Sequence, residues 1–155
     1  MVSFIITALF AVFFFKNYRS SIISSTHKKV FQLLETLVER DKADLVNEIF
    51  EKRETALRLH LRQMKKTESV DGIALYDNGG LLLLATESYQ SQKKLADHIV
   101  NGLRINPEQR YISTEQSDKY IYIQAVSVIN DIMGFILIDY NLRSVKKELS
   151  DVQLL

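Results

Sequence analysis

The sequence predicts an α+β fold, a long N-terminal helix followed by a five-stranded, mostly antiparallel sheet with flanking helices. Three stretches carry that expectation. Apolar residues recur at helical spacing from Val30 to Leu59, and neither glycine nor proline interrupts the chain from Thr26 until Gly72. Val70–Thr86 (VDGIALYDNGGLLLLAT) reads as strand, tight turn and strand. Lys119–Val128 (KYIYIQAVSV) alternates Ile121, Ile123 and Ala125 with Tyr120, Tyr122 and Gln124, the period of a strand.

Composition narrows the function classes. The 155 residues suffice for one domain and an appendage, and 25% charged with 46% hydrophobic residues are ordinary globular values. A net charge of +1 without a basic, aromatic-interleaved tract argues against nucleic acid. Absence of cysteine removes disulfides, thiolate metal sites and a cysteine nucleophile together.

Met1–Phe15 is apolar apart from Ser3 and Thr7. As a helix it spans roughly 22 Å, short of the ~30 Å hydrocarbon core. Lys16 and Arg19 can snorkel, and Tyr18 suits an interface. A buried globular helix would show no polar face to water. A cleaved signal peptide would need a basic leader and a small-residue cleavage site, where the sequence has Phe13-Phe14-Phe15-Lys16. The segment 1–19 is therefore read as a transmembrane anchor, with a basic cytoplasmic leader expected before it. The positive-inside rule would place Lys16, Arg19, Lys28 and Lys29 in the cytoplasm, so charge alone leaves orientation open.

Residues 20–66 are expected to form a helical stalk, one helix or two in series, weakest at Asp41-Lys42-Ala43-Asp44. Glu48 with Lys52 and Glu54 with Arg58 stand one turn apart as ion-pair partners. Two readings stay open: a solvated helix packed on the sheet, or the seam of a parallel homodimer. The apolar spacing drifts from a strict heptad.

In the hairpin, Asp77-Asn78-Gly79-Gly80 supplies turn chemistry, and Leu81–Leu84 suits a strand covered on both faces. A short helix is expected within Ser91–Leu103, then a turn at Asn106-Pro107 and a strand over Arg110–Thr114. The strands Lys119–Val128 and Ile132–Tyr140 flank an Asn130-Asp131 turn. Residues 143–155 are read as an exit helix with Ser144 as a candidate N-cap, and Leu154-Leu155 as the start of a second span.

DGIALYDNGGLLLLAT and YIYIQAVSVINDIMGFILIDYNL together resemble the single Cache, PAS-like, extracytoplasmic sensor domain of bacterial histidine kinases, chemoreceptors and diguanylate cyclases. The resemblance covers roughly residues 26–155, with 67–142 as the sensor module. It implies a sheet domain outside the cytoplasm, held in the inner membrane between two spans, with an output domain beyond Leu155.

Chemistry of catalysis is not visible in the sequence. His27, His60 and His98 lack metal-ligand spacing and read as surface helix residues. Gly79-Gly80 lacks the spacing and following helix of a phosphate loop. No enzyme activity, metal or cofactor is therefore expected. A binding pocket fits better: Tyr120 and Tyr122 share a strand face, and Asp139 interrupts an apolar run where a buried carboxylate needs a partner. Arg110 offers a fork for a ligand carboxylate. By the ligand position that the resemblance implies, between sheet and crossing segment, Tyr76, Arg110, Tyr120, Tyr122 and Asp139 are the expected lining residues. Expected ligands are an organic acid, an amino acid or an amine. The expectation is a ligand-sensing input domain of a membrane receptor. The alternative is a membrane-tethered dimerisation module without a ligand, favoured if the Tyr120/Tyr122 face is close-packed.

Overall fold

The computed structural model describes residues 2–152, with side chains for 9–147. Its elements are α1 (Val2–Phe50), α2 (Glu54–Met64), β1 (Val70–Asp77), β2 (Leu82–Ala85), α3 (Asp97–Ile105), β3 (Arg110–Ser113), β4 (Lys119–Val128), β5 (Asp131–Asn141) and α4 (Arg143–Val152). Five antiparallel strands in the order β2-β1-β5-β4-β3 match the expected α+β class. The chain divides into two compact units, residues 1–35 and 36–155.

The first unit is helical. Leu9, Phe10, Val12, Phe13, Phe14, Phe15 and Tyr18 are all exposed, which leaves this stretch apolar around its circumference. Among the described residues no helix is long and apolar enough to cross a membrane. The side chains of residues 1–8 in the expected anchor lie outside the described residues, as does the expected second span at Leu154-Leu155.

In the second unit, α1 continues unbroken through Asp41–Asp44, the point expected to be weakest, and stops at Phe50. The break falls at Lys52, whose φ of 53° is left-handed. Lys52 therefore leaves the helical face that would have met Glu48. Glu48 instead meets His60 Nδ1 on α2 at 3.1 Å, while Glu54 and Arg58 pair at 2.7 Å as expected. His60 is thus drawn between helices rather than left on a surface.

The hairpin turn is built by Asp77, whose Oδ1 accepts the Gly79 and Leu81 N–H groups at 2.9 Å each. Gly80 takes φ +83°, and a Cβ there would lie 2.7 Å from Val100 on α3, so only glycine lets turn and helix meet. Contrary to the expectation of a strand covered on both faces, β2 is an edge: Leu81 and Leu83 are about half exposed, while Leu84 is buried. Sheet order puts β2 at the margin, where one face and one edge meet water. Ser144 also differs from expectation. It lies inside the first turn of α4 with its hydroxyl 2.8 Å from that of Ser69, and Asn141 Oδ1 accepts the Arg143 N–H at 2.9 Å instead.

Register settles which side chains share a face. Ile121 stands opposite Asp139 and Tyr122 opposite Ile138. One face therefore carries Tyr76, Ile121, Ile123, Phe135, Leu137 and Asp139; the other carries Ile73, Leu75, Tyr120, Tyr122, Gln124, Ile136 and Ile138. Against the first face packs a core cluster including Ala74, Leu95, Val100, Leu103 and Ala125. On the second, Glu39 of α1 accepts hydrogen bonds from Gln124 Nε2 and, at 3.3 Å, from an Arg110 Nη, which lays the second half of α1 across the sheet.

Candidate functional site

A cleft of about 350 Å³ opens on the first face, between the strands and the segment 86–96 that crosses from β2 to α3. That segment is tied down by its backbone: Leu82 N–H donates to Lys93 O and Leu95 N–H to Gly80 O, both at 2.9 Å. Ile121, Ile123 and Leu137 form an apolar floor, and Tyr89, Ser91 and Gln92 form the wall. Tyr76 reaches from floor to wall, its hydroxyl donating to Gln92 O at 3.1 Å. Burial holds the Tyr76 phenol above its ordinary pKa.

Asp139 is set into this floor and is only 1% exposed, whereas Glu115, the other carboxylate that lines the cleft, is exposed between β3 and β4. Its Oδ2 accepts from Lys119 Nζ at 2.9 Å, and its Oδ1 is buried with no hydrogen-bond partner. Lys119, by contrast, stands at the mouth with 41% of its side chain exposed. The two share a face because Lys119 pairs with Asn141 and lies diagonal to Asp139. An unsatisfied buried carboxylate oxygen costs about 1–3 kcal/mol or more, so the cleft floor carries an unmet acceptor.

Tyr89 closes the other side. Its ring lies over Gly72, which faces Asp139 across the β1–β5 ladder; a Cβ at Gly72 would fall 2.1 Å from the ring. Glycine is required here because a side chain would occupy the place of the ring. Burial, and then the nearby Asp139 charge and a hydrogen-bonding interaction with that carboxylate, raise the Tyr89 phenol well above its ordinary pKa.

Of the residues expected from sequence, the structure brings Tyr76 and Asp139 together in this cleft. It places Arg110, Tyr120 and Tyr122 on the opposite face. There Tyr122 is fully buried and donates to Gln124 Oε1 at 2.7 Å, Tyr120 is 3% exposed, and Arg110 bonds Glu39 and the Glu108 carbonyl. The Tyr120/Tyr122 face is thus close-packed, the outcome named above as favouring the dimerisation module, and the cavity that speaks for a ligand lies on the opposite face. Lys119 and Tyr89 were not anticipated. Lys119 was legible in principle, since it is in phase with Ile121 and Ile123; Tyr89 left only an aromatic within a polar loop as its signal.

A larger, shallow groove of about 770 Å³ runs between α1 and α2, lined by Arg40, Asp41, Glu48 and His60. Its charges are already matched: Arg40 bonds Asp41 at 2.8 Å, and His60 meets Glu48 at 3.1 Å and Asp41 at 3.7 Å. The Arg40 hydrogen bond holds Asp41 below the usual carboxylate range. No polar atom of this groove is buried without a partner among the described residues, which separates it from the Asp139 cleft.

No protein-family model and no curated protein matches the sequence. Solved structures do. The sensor domain of the Vibrio cholerae histidine kinase DctB superposes with a TM-score of 0.55 at 13% identity, over 84% of this chain and 57% of its own. The ligand-binding domain of the Campylobacter jejuni chemoreceptor Tlp3, in complex with 4-methylisoleucine, gives 0.58 at 14% identity over 79% and 56%. A domain of a sensory box/GGDEF family protein from Vibrio parahaemolyticus gives 0.53 at 12% over 81% and 57%. The chain spans a little over half the length of these domains. The first is a sensor domain and the second a ligand-binding domain, and at identities of 12–14% the likeness to all three is one of fold.

Proposed function

We propose that this chain is the ligand-sensing input domain of a bacterial transmembrane signalling receptor, and that it recognises a small molecule carrying an ammonium group. The observation that carries the reading is Asp139, a carboxylate in a cleft floor with one oxygen buried and unpartnered. An ammonium group supplies both the charge and the donors that oxygen lacks. The apolar floor of Ile121, Ile123 and Leu137 suits an aliphatic portion of the ligand. Tlp3 structures with isoleucine, L-valine and L-norvaline agree with a ligand of this size and polarity in a domain of the same fold.

In this reading residues 1–19 anchor the chain, 20–66 form the stalk, 67–142 form the sensor module outside the cytoplasm, and 143–155 lead back to the membrane. Occupancy shifts the balance between two arrangements of the sheet and its helices, and α1 and α4 carry the shift toward the bilayer. A parallel homodimer would set the two stalks side by side.

The test is a thermal-shift series on the chain with L-valine, L-isoleucine, isobutylammonium and succinate. A saturable rise in melting temperature is expected with the ammonium compounds, not with succinate, and is abolished by Asp139→Asn. A flat response to all four, in a folded sample, rejects the reading. Cysteine substitutions on the sheet surface, labelled on intact cells, test the extracytoplasmic placement against the cysteine-free background.

A further inference from the structure

We infer that Lys119 is a built-in competitor for the ligand: its ammonium occupies the recognition carboxylate until an incoming one displaces it. The inference deepens the reading of Asp139 as an ammonium acceptor and rests on it. Three observations lead there. Lys119 Nζ holds Asp139 Oδ2 at 2.9 Å, so one of the two acceptors is already taken. The other, Oδ1, is shielded from solvent with no hydrogen-bond partner of normal geometry, and Asp139 as a whole is 1% exposed, with Lys119 on its other oxygen and Tyr89 beside it. Lys119 alone of these groups lies half in water, at the first residue of β4 and beside the polar segment Glu115–Asp118.

The energetics make such a placeholder workable. A lysine on its four-carbon stem can swing out and rehydrate at small cost, because the ammonium is already partly solvated and screened. Asp139 cannot follow it, since its strand is hydrogen-bonded on both sides, by β1 and β4. Exchange of one ammonium for another leaves the buried charge neutralised throughout, so the carboxylate never stands uncompensated. Selectivity follows from the same exchange. A bare cation gains nothing over Lys119, whereas a ligand whose alkyl portion covers Ile121, Ile123 and Leu137 adds an apolar contact to the exchange. The competitor thus sets a threshold: apparent affinity is the intrinsic affinity reduced by the fraction of time that Lys119 vacates the site.

The experiment compares wild type, Lys119→Ala, Lys119→Gln and Lys119→Ala/Asp139→Asn by thermal shift and calorimetry, with isobutylammonium chloride and L-valine as probes and sodium chloride as control. If Lys119 holds the carboxylate about nine-tenths of the time, its removal tightens isobutylammonium binding about tenfold. The double variant is expected to bind neither probe. Lys119→Gln keeps the comparison available should the alanine variant not fold. Equal affinity in wild type and both single variants overturns the competitor while leaving ammonium sensing intact. Weaker L-valine binding with unchanged isobutylammonium binding also overturns it, and makes Lys119 a partner of the ligand carboxylate. No binding in any variant removes the competitor and the ammonium reading together.

Discussion

The two faces of the sheet bury polar groups to opposite ends. On the helix face, Tyr122 donates to Gln124, Gln124 donates to Glu39, and an Arg110 Nη donates to the same carboxylate, so these groups bond one another. On the cleft face, Asp139 has one oxygen matched by a half-exposed lysine and one matched by nothing. A satisfied buried network holds elements in register, and an incomplete one calls for an explanation. In the proposed reading, the unmet acceptor in the cleft marks the site, not the tyrosines of the helix face.

That contrast can be broken most strongly from the helix side. Gln124→Ala removes an acceptor of the Tyr122 hydroxyl and deprives Glu39 of a donor, and about 2 kcal/mol of stability should go in denaturant unfolding, with the affinity of the cleft unchanged. On the cleft side the largest effect belongs to Gly72→Ala. The new methyl displaces the Tyr89 ring, and overpacking of this kind costs about 1–3 kcal/mol. Binding in the thermal-shift series should fall with it, because the wall of the cleft moves. Retained binding would show that Tyr89 is no part of the site.

Smaller effects sharpen the comparison. The two halves of the Lys119–Asp139 pair should be unequal. Removal of the lysine leaves a buried charge, whereas Asp139→Asn leaves a lysine that can turn to water, so the first should cost about 2 kcal/mol and the second under about 1. Equal losses would mean that Asp139 is not held as a buried charge. The smallest effect concerns pH. The phenols of Tyr89, Tyr76 and Tyr120 titrate above their ordinary value in the folded chain, chiefly through burial. Their contribution is complete below about pH 10 and is lost as pH rises toward the folded-state values, since deprotonation is harder in the fold than in the unfolded chain. Tyr89→Phe should flatten this alkaline loss and leave stability at pH 7 nearly unchanged.

The sequence by itself determined the elements. Alternation marked Lys119–Val128 to the residue, Asp77–Gly80 marked the hairpin turn, and uninterrupted helical spacing marked the stalk, because these signals are local and repeat within one or two turns of chain. It also singled out Asp139, since a carboxylate in an apolar strand is conspicuous wherever the strand lies. Only the tertiary structure decided which residues meet. Neighbouring side chains on a strand point to opposite faces, so a one-residue difference in pairing chooses between Tyr122 and Ile121 as companions of Asp139, and no local pattern records that choice. Lys119 and Tyr89 likewise join the cleft only through register and a crossing segment, because the contacts that bring them there join chain positions twenty and fifty residues apart.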